Sequence, residues 1–251
     1  MDWTRRDFLG KTLAAGTAAL AAGPIAAMVG DKRDDLEPFH WARLKFELVN
    51  SQAIPDKWNV HPWGDIFFLE MLQKHTNLNV DRTWHVAPLD NLNEMVKYPF
   101  LFMTTEGDFK FTPKHQKNLV EYLTRGGFIY ADDCVLLGSK QPGVGDKFFL
   151  CLKNKLETLF GKKMTPLPND HAIYKSYFQL NGLPYMQGVN HPGEALFLDG
   201  RMALFLTSTD IHCGWCSMSM LARKQEGWFP RNKSMDSIKM GINVLVHAMT
   251  R

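Results

Sequence analysis

The chain has 251 residues, with 29 Lys and Arg against 26 Asp and Glu and a formal charge of +3. That balance gives no electrostatic footing for a nucleic-acid partner, and 12% aromatic content argues against disorder. Four cysteines do not make a disulfide scaffold in a chain of this size, although an oxidising compartment would permit one bond.

Thr4-Arg5-Arg6-Asp7-Phe8-Leu9 opens the chain, and no charged residue occurs between Leu13 and Gly30. A paired-arginine n-region before a weakly apolar, Ala-rich run is the layout of a twin-arginine signal. Residues 1–30 are therefore expected to be that signal, with Ala26-Ala27-Met28 as a loose processing point, or to be retained as a membrane anchor. The expected partner is the twin-arginine export machinery and the destination is periplasmic or extracytoplasmic. That route carries folded proteins, so the domain can be assembled, and loaded with a metal, before export. Residues 31–38 read as a charged linker and 39–251 as one α/β domain with long loops.

Within the domain, Trp41 to Leu48 shows near-alternation of apolar and polar side chains, the mark of a half-covered strand. Trp63 to His75 reads as a helix with Ile66, Phe67, Leu69, Met71 and Leu72 on its buried stripe. Tyr98 to Met103 is almost wholly apolar, as expected of a strand covered on both faces. Thr112 is placed to cap the next helix, with Pro113 at its first position and Gly126-Gly127 at its end. Phe128 to Ala131 is a second buried strand that runs into Asp132-Asp133-Cys134, completing a right-handed crossover unit. Lys147 to Phe160 reads as a helix, and Asp199-Gly200 as the turn of a hairpin between Ala195–Leu198 and Arg201–Leu206. The closing helix is expected over Asp236 to Met249.

Tyr98 to Met103, the stretch from Leu119 to Asp133, Asp170-His171 and the closing Gly241-Ile242-Asn243 resemble the exported bacterial family DUF4159, a domain of unknown function. The resemblance covers about Phe39 to Thr250. It implies a branch of the class I glutamine amidotransferase-like fold, a flavodoxin-like, mostly parallel sheet with helices on both faces. It supplies no reaction. Those enzymes carry a nucleophilic cysteine on a tight elbow after a strand, and Cys134 takes that place. Its acidic neighbours depart from the Gly-x-Cys-x-Gly elbow and would raise a thiol pKa, and no late His-x-Glu pair completes a triad. His247, between Val246 and Ala248, reads as a structural or surface residue.

Asp132 and Asp133 are the first catalytic candidates, because loops leaving the carboxyl ends of parallel strands line the ligand crevice. His171 joins them through the family's Asp-His loop. The ordinary reading of the two acids is a helix cap and an ion pair. Asp210-Ile211-His212-Cys213-Gly214-Trp215-Cys216 is the second candidate region: Cys213 and Cys216 permit a disulfide, and with His212 three ligands for a divalent metal. The resemblance makes Asp210 and Gly214-Trp215 family pattern and the cysteines an elaboration. Trp58, His61, Trp84, Asp210 and Trp215 are candidates for a polar-aromatic groove suited to a glycan or peptide, and Arg201 for pairing with a carboxylate.

Three function classes follow. The preferred one is an exported, non-catalytic binding or assembly protein, such as a subunit of a membrane-associated complex, which needs no complete catalytic set. The second is a metal-assisted hydrolase or carbohydrate-active enzyme using Asp132 or Asp133 with His171, and it requires those residues to converge on one cleft. The third is a redox or metal protein centred on His212, Cys213 and Cys216.

Overall fold

A computed structural model describes residues 37–49, 57–135 and 138–250. The signal expected over residues 1–30 and most of the linker lie outside the described residues. The strands are β1 (Ala42–Lys45), β2 (His85–Pro88), β3 (Phe100–Thr105), β4 (Phe128–Asp133), β5 (Thr165–Pro166), β6 (Glu194–Leu198) and β7 (Arg201–Thr207). The helices are α1 (Pro62–His75), α2 (Leu92–Met95), α3 (Pro113–Thr124), α4 (Lys147–Phe160), α5 (Ile211–Ala222) and α6 (Arg231–Thr250).

One seven-stranded sheet runs in the order β2-β1-β3-β4-β7-β6-β5. The first five of these are mutually parallel, and β6 and then β5 extend the sheet at one edge, each antiparallel to the strand before it. The order β2-β1-β3-β4, continued by β7, is that of a flavodoxin-like fold. Alternate side chains build two cores. Trp41, Phe102, Tyr130 and Phe205 face the layer of α1, α5 and α6. Leu44, Leu101, Ile129 and Leu204 face α3 and α4 on the other side.

Local signals set several of these elements. Thr112 caps α3, its hydroxyl accepting the His115 N–H at 3.2 Å, with Pro113 in the first turn. Gly126 follows α3 with a φ of 105°, a conformation that a residue with a Cβ rarely adopts. Asp199 and Gly200 both have positive φ, as the two-residue turn of a right-twisted hairpin requires. Arg201 does not pair with a carboxylate: its guanidinium donates to the carbonyls of Leu123 and Gly127, tying the hairpin to the end of α3.

Other expectations are corrected. The strand at 41–48 contracts to Ala42–Lys45 and is covered on both faces, because Arg43, read as a polar outward position, is only 1% exposed. Ile66 is exposed, and Phe68 and Asp65 take inward positions on α1. α6 begins at Arg231, before the expected start at Asp236. α5 has no counterpart among the expected elements. Every residue from Ile211 to Ser219 is buried, so no polar face marks its 3.6-residue period.

The Arg43 guanidinium forms a two-pronged pair with Asp65, Nε to Oδ2 and Nη2 to Oδ1, both at 2.7 Å. Trp41 Nε1 donates to the same Oδ2 at 2.8 Å, and His212 Nε2 stands 3.0 Å from both Asp65 Oδ1 and Arg43 Nη2. This network joins β1, α1 and α5 with no solvent access. Replacing one partner leaves a buried, uncompensated charge. Arg43→Met is therefore expected to cost about 3–5 kcal/mol in urea unfolding, and Arg43→Met with Asp65→Leu much less than the sum of the single changes.

Candidate functional site

The chain reverses its direction of travel across the sheet between β1 and β3, and in such sheets the crevice lies outside the carboxyl ends of the strands. β4 delivers Asp132 and Asp133 to that edge as its last two residues. Because successive strand residues point to opposite faces, the pair is divided by the sheet.

Asp132 faces α5. Its Oδ2 accepts the His212 N–H at 2.8 Å and its Oδ1 the Thr207 hydroxyl at 2.5 Å. It thus serves the N-terminus of a neighbouring helix, whose own cap residue, Asp210, sits in left-handed backbone with a φ of 58°. Burial and the nearby Asp210 carboxylate push the Asp132 carboxyl up to about 8, against the opposing pull of those hydrogen bonds. Asp133 faces α4, where its Oδ2 accepts the Phe149 N–H at 2.8 Å, and burial pushes its carboxyl well above the usual range. Burial also raises Asp210, to about 6, although Cys213 and the Gln187 amide hydrogen-bond to it.

His212 belongs to the Arg43–Asp65 network. Burial lowers its imidazole to about 4 despite the neighbouring Asp65 carboxylate. Burial alone would raise Asp65, but the Arg43 guanidinium, by charge and hydrogen bonds, and His212 hold it well below the carboxylate range. His212 Nε2 is committed to that network, and its position does not complete a ligand set with Cys213 and Cys216.

No disulfide joins Cys213 to Cys216; all four cysteines are free thiols. Three residues apart on a regular helix, they approach different neighbours. Cys213 Sγ lies 3.7 Å from Cys134 Sγ, whereas Cys216 lies against α1 near the His61 carbonyl and Gly64. A Cβ at Gly64 would stand 2.6 Å from Cys216 Sγ and 3.1 Å from His212 Nε2, so glycine sets how closely α1 approaches α5. A hydrogen bond with Cys213 favours the Cys134 thiolate, but burial together with the nearby Asp210, Glu106 and Asp132 carboxylates outweighs it and holds that thiol at about 11. Cys213 and Cys216 are raised well above the usual thiol value, Cys213 first by its hydrogen bond with Cys134 and Cys216 by burial.

The expected groove residues separate. Trp215 is fully buried, stacked on Phe68 at 4.3 Å between ring centroids, and Asp210 is also fully buried. Trp58 is buried against Trp84, with Lys45 Nζ 5.5 Å from its ring centre and the Arg43 guanidinium 5.9 Å from that of Trp84. His61 instead joins Trp63 and Trp228, with ring centroids 5.3–6.0 Å apart, and Trp228 is 45% exposed. His171 caps a short 3-10 turn, accepting the Ile173 N–H at 3.2 Å, with its ring against His247 of α6. Arg43, Asp65, Trp63 and Trp228 were not singled out from the sequence. Arg43 and Asp65 carry no local mark, although an Arg at an inward position beside a Trp is a signal for a buried pair.

Residues 40–249 match the family described as Domain of unknown function (DUF4159). The chain belongs to that family. No curated protein matches it. The residues on which the resemblance was read have architectural tasks in this structure. A Cβ at Gly214 would stand 2.3 Å from the Ser237 hydroxyl, and one at Gly241 within 2.7 Å of the Phe68 and Trp215 rings. Asn243 accepts the N–H groups of Tyr177 and Phe178 and donates to the carbonyls of Tyr174 and Phe178, clamping the segment after Asp170-His171 onto α6. Among the described residues no helix is long and apolar enough to cross a membrane.

Three outcomes test these assignments. Folding raises Asp132 from 3.8 to about 8, so the native state keeps a proton that the unfolded chain releases over that range. Its contribution to stability weakens as pH rises from about 4 to about 8. Asp132→Asn keeps an acceptor without the charge and should narrow the difference between urea midpoints at about pH 5 and about pH 8, whereas Asp132→Ala should lower both. His212 has the opposite sign: held near 4 against an ordinary 6.5, it withdraws stability as pH falls through that window. Asn243→Ala orphans several backbone groups and should cost about 2–4 kcal/mol, with earlier proteolytic cleavage near residues 176–182.

Proposed function

We propose that the protein is an exported, non-catalytic binding or assembly protein of the cell envelope, a branch of the class I glutamine amidotransferase-like fold that does not use the enzymes' chemistry. The observation that carries this reading is the condition of the paired acids. Asp132 is 0% exposed and Asp133 2%, each accepts a backbone N–H at a helix start, and they face opposite sides of the sheet. Carboxylates with raised pKa, buried and separated by a strand, do not flank a common bond as paired glycosidic acids must. His171 is held by a third element, against α6, which also disfavours the hydrolase reading. Cys134 follows β4 directly, where the resemblance would put an amidotransferase nucleophile, but its thiol, held at about 11, is protonated at neutral pH.

The binding surface we favour is the aromatic group of exposed Trp228 with half-buried His61 and Trp63, whose flat faces suit a glycan ring or an aromatic-rich peptide. Export rests on Arg5 and Arg6 and the uncharged run behind them.

Arg5→Lys with Arg6→Lys should retain the chain in the cytoplasm, read by fractionation and immunoblot; unchanged delivery would remove the export reading. Native purification from membrane and periplasmic fractions, followed by mass spectrometry, should return a stoichiometric set of partner subunits. Trp228→Ala should weaken that association by about 2 kcal/mol, the scale of an aromatic anchor. A partnerless monomer that hydrolyses a glycan, and loses that activity in Asp133→Asn, would overturn the proposal.

A further inference from the structure

Three segments far apart in sequence meet at the carboxyl edge of the sheet. Cys134 follows β4, Cys213 lies in the first turn of α5, and His61 is the residue before α1. One ring nitrogen of His61 and the two Sγ atoms all lie within 4.8 Å of one another. The two sulfurs are 3.7 Å apart. Tetrahedral zinc with Zn–S bonds of about 2.3 Å holds two thiolates about 3.8 Å apart, which this separation matches without rearrangement.

The surroundings point the same way. His61 and Asp210, the cap residues of α1 and α5, have φ of 45° and 58°, left-handed backbone that non-glycine residues seldom adopt. Both residues border this spot. His61 is only half-buried, beside Trp63 and Trp228, so the place has a route for an ion and a side for an outer ligand.

We propose that His61, Cys134 and Cys213 bind one thiophilic divalent cation of the zinc type, with water in the fourth position. This set replaces the His212-Cys213-Cys216 set read from the sequence; it shares His61 with the favoured binding surface but does not require a partner. On binding, each thiol passes its proton to solvent as its sulfur–metal bond forms, so two protons leave per ion and nothing is oxidised or reduced. The second histidine cluster, His40, Asp81 and His85, does not compete on geometry. Both rings approach the single oxygen Asp81 Oδ2, at 2.9 and 2.8 Å, hydrogen-bond distances shorter than the ligand–ligand spacing around a shared metal, about 3.3 Å.

The test uses the full chain with thiols reduced, titrated with Co²⁺ and then with Zn²⁺. The expected result is one equivalent of Co²⁺ with thiolate-to-cobalt charge-transfer absorption and tetrahedral d–d bands, displaced by Zn²⁺, and release of about two protons per ion. Cys134→Ser and Cys213→Ser should each lose most of the charge-transfer band, and Cys216→Ser should keep it. His61→Ala, which leaves both core thiols in place and guards against a folding artefact, should weaken cobalt binding about tenfold or more. Zn²⁺ should raise the Tm of the wild type and leave that of Cys134→Ser unchanged. The proposal is overturned if the wild type shows no charge-transfer band, or if the band survives Cys134→Ser and Cys213→Ser. It is equally overturned if bound metal is lost in His85→Ala and kept in His61→Ala, or if the protein isolated from its own compartment carries a Cys134–Cys213 disulfide.

Discussion

The buried pair between Arg43 and Asp65 is the constraint around which the carboxyl edge is arranged. A guanidinium and a carboxylate taken wholly out of water are tolerable only when their hydrogen-bonding capacity is largely used. Asp65 meets that demand with Arg43, Trp41 and His212. The partners come from β1, α1 and α5, so satisfying one charge sets the positions of three elements. Gly64 then lets α1 approach α5 at Cys216, where any Cβ would collide. Trp215 stacked on Phe68, with Gly241 against both rings, completes the helical layer, and its indole N–H donates to the Ser237 carbonyl of α6.

That arrangement explains why the two acids look catalytic in the sequence and serve as scaffold in the structure. A helix start exposes N–H groups that need acceptors, and here the acceptors come from the neighbouring strand: Asp132 for α5 and Asp133 for α4. Such use keeps both carboxyls buried and raises their pKa values, two features otherwise associated with active sites. What distinguishes the cases is direction. Each acid points into a packed layer, and the groups left nearer solvent at this edge are the ring of His61 and the indoles of Trp63 and Trp228.

Much of the fold was legible where the signal was local. The cap at Thr112-Pro113, the stop at Gly126-Gly127 and the turn at Asp199-Gly200 all act through their near neighbours, and the elements they bound formed where expected. The four-residue strand β2 at the sheet edge was too short to carry a pattern. α5 was missed for the opposite reason: burial on all sides removes the polar face that announces a helix. The candidate site was legible as a region and misread in its members. The sequence paired Cys213 with Cys216 because they are near in the chain, while folding placed Cys213 beside Cys134, seventy-nine positions away.

By itself, then, the sequence determined an α/β domain with buried parallel strands, the caps and turns that bound them, and the edge at which polar residues gather. These depend on backbone geometry and side-chain pattern within a few residues. Only the tertiary structure decided that Arg43 is buried, that Asp132 and Asp133 look away from each other, and that His61, Cys134 and Cys213 meet. Each of those outcomes depends on which element packs over a strand end, and the burial and hydrogen bonds that decide it are made between residues distant in the chain.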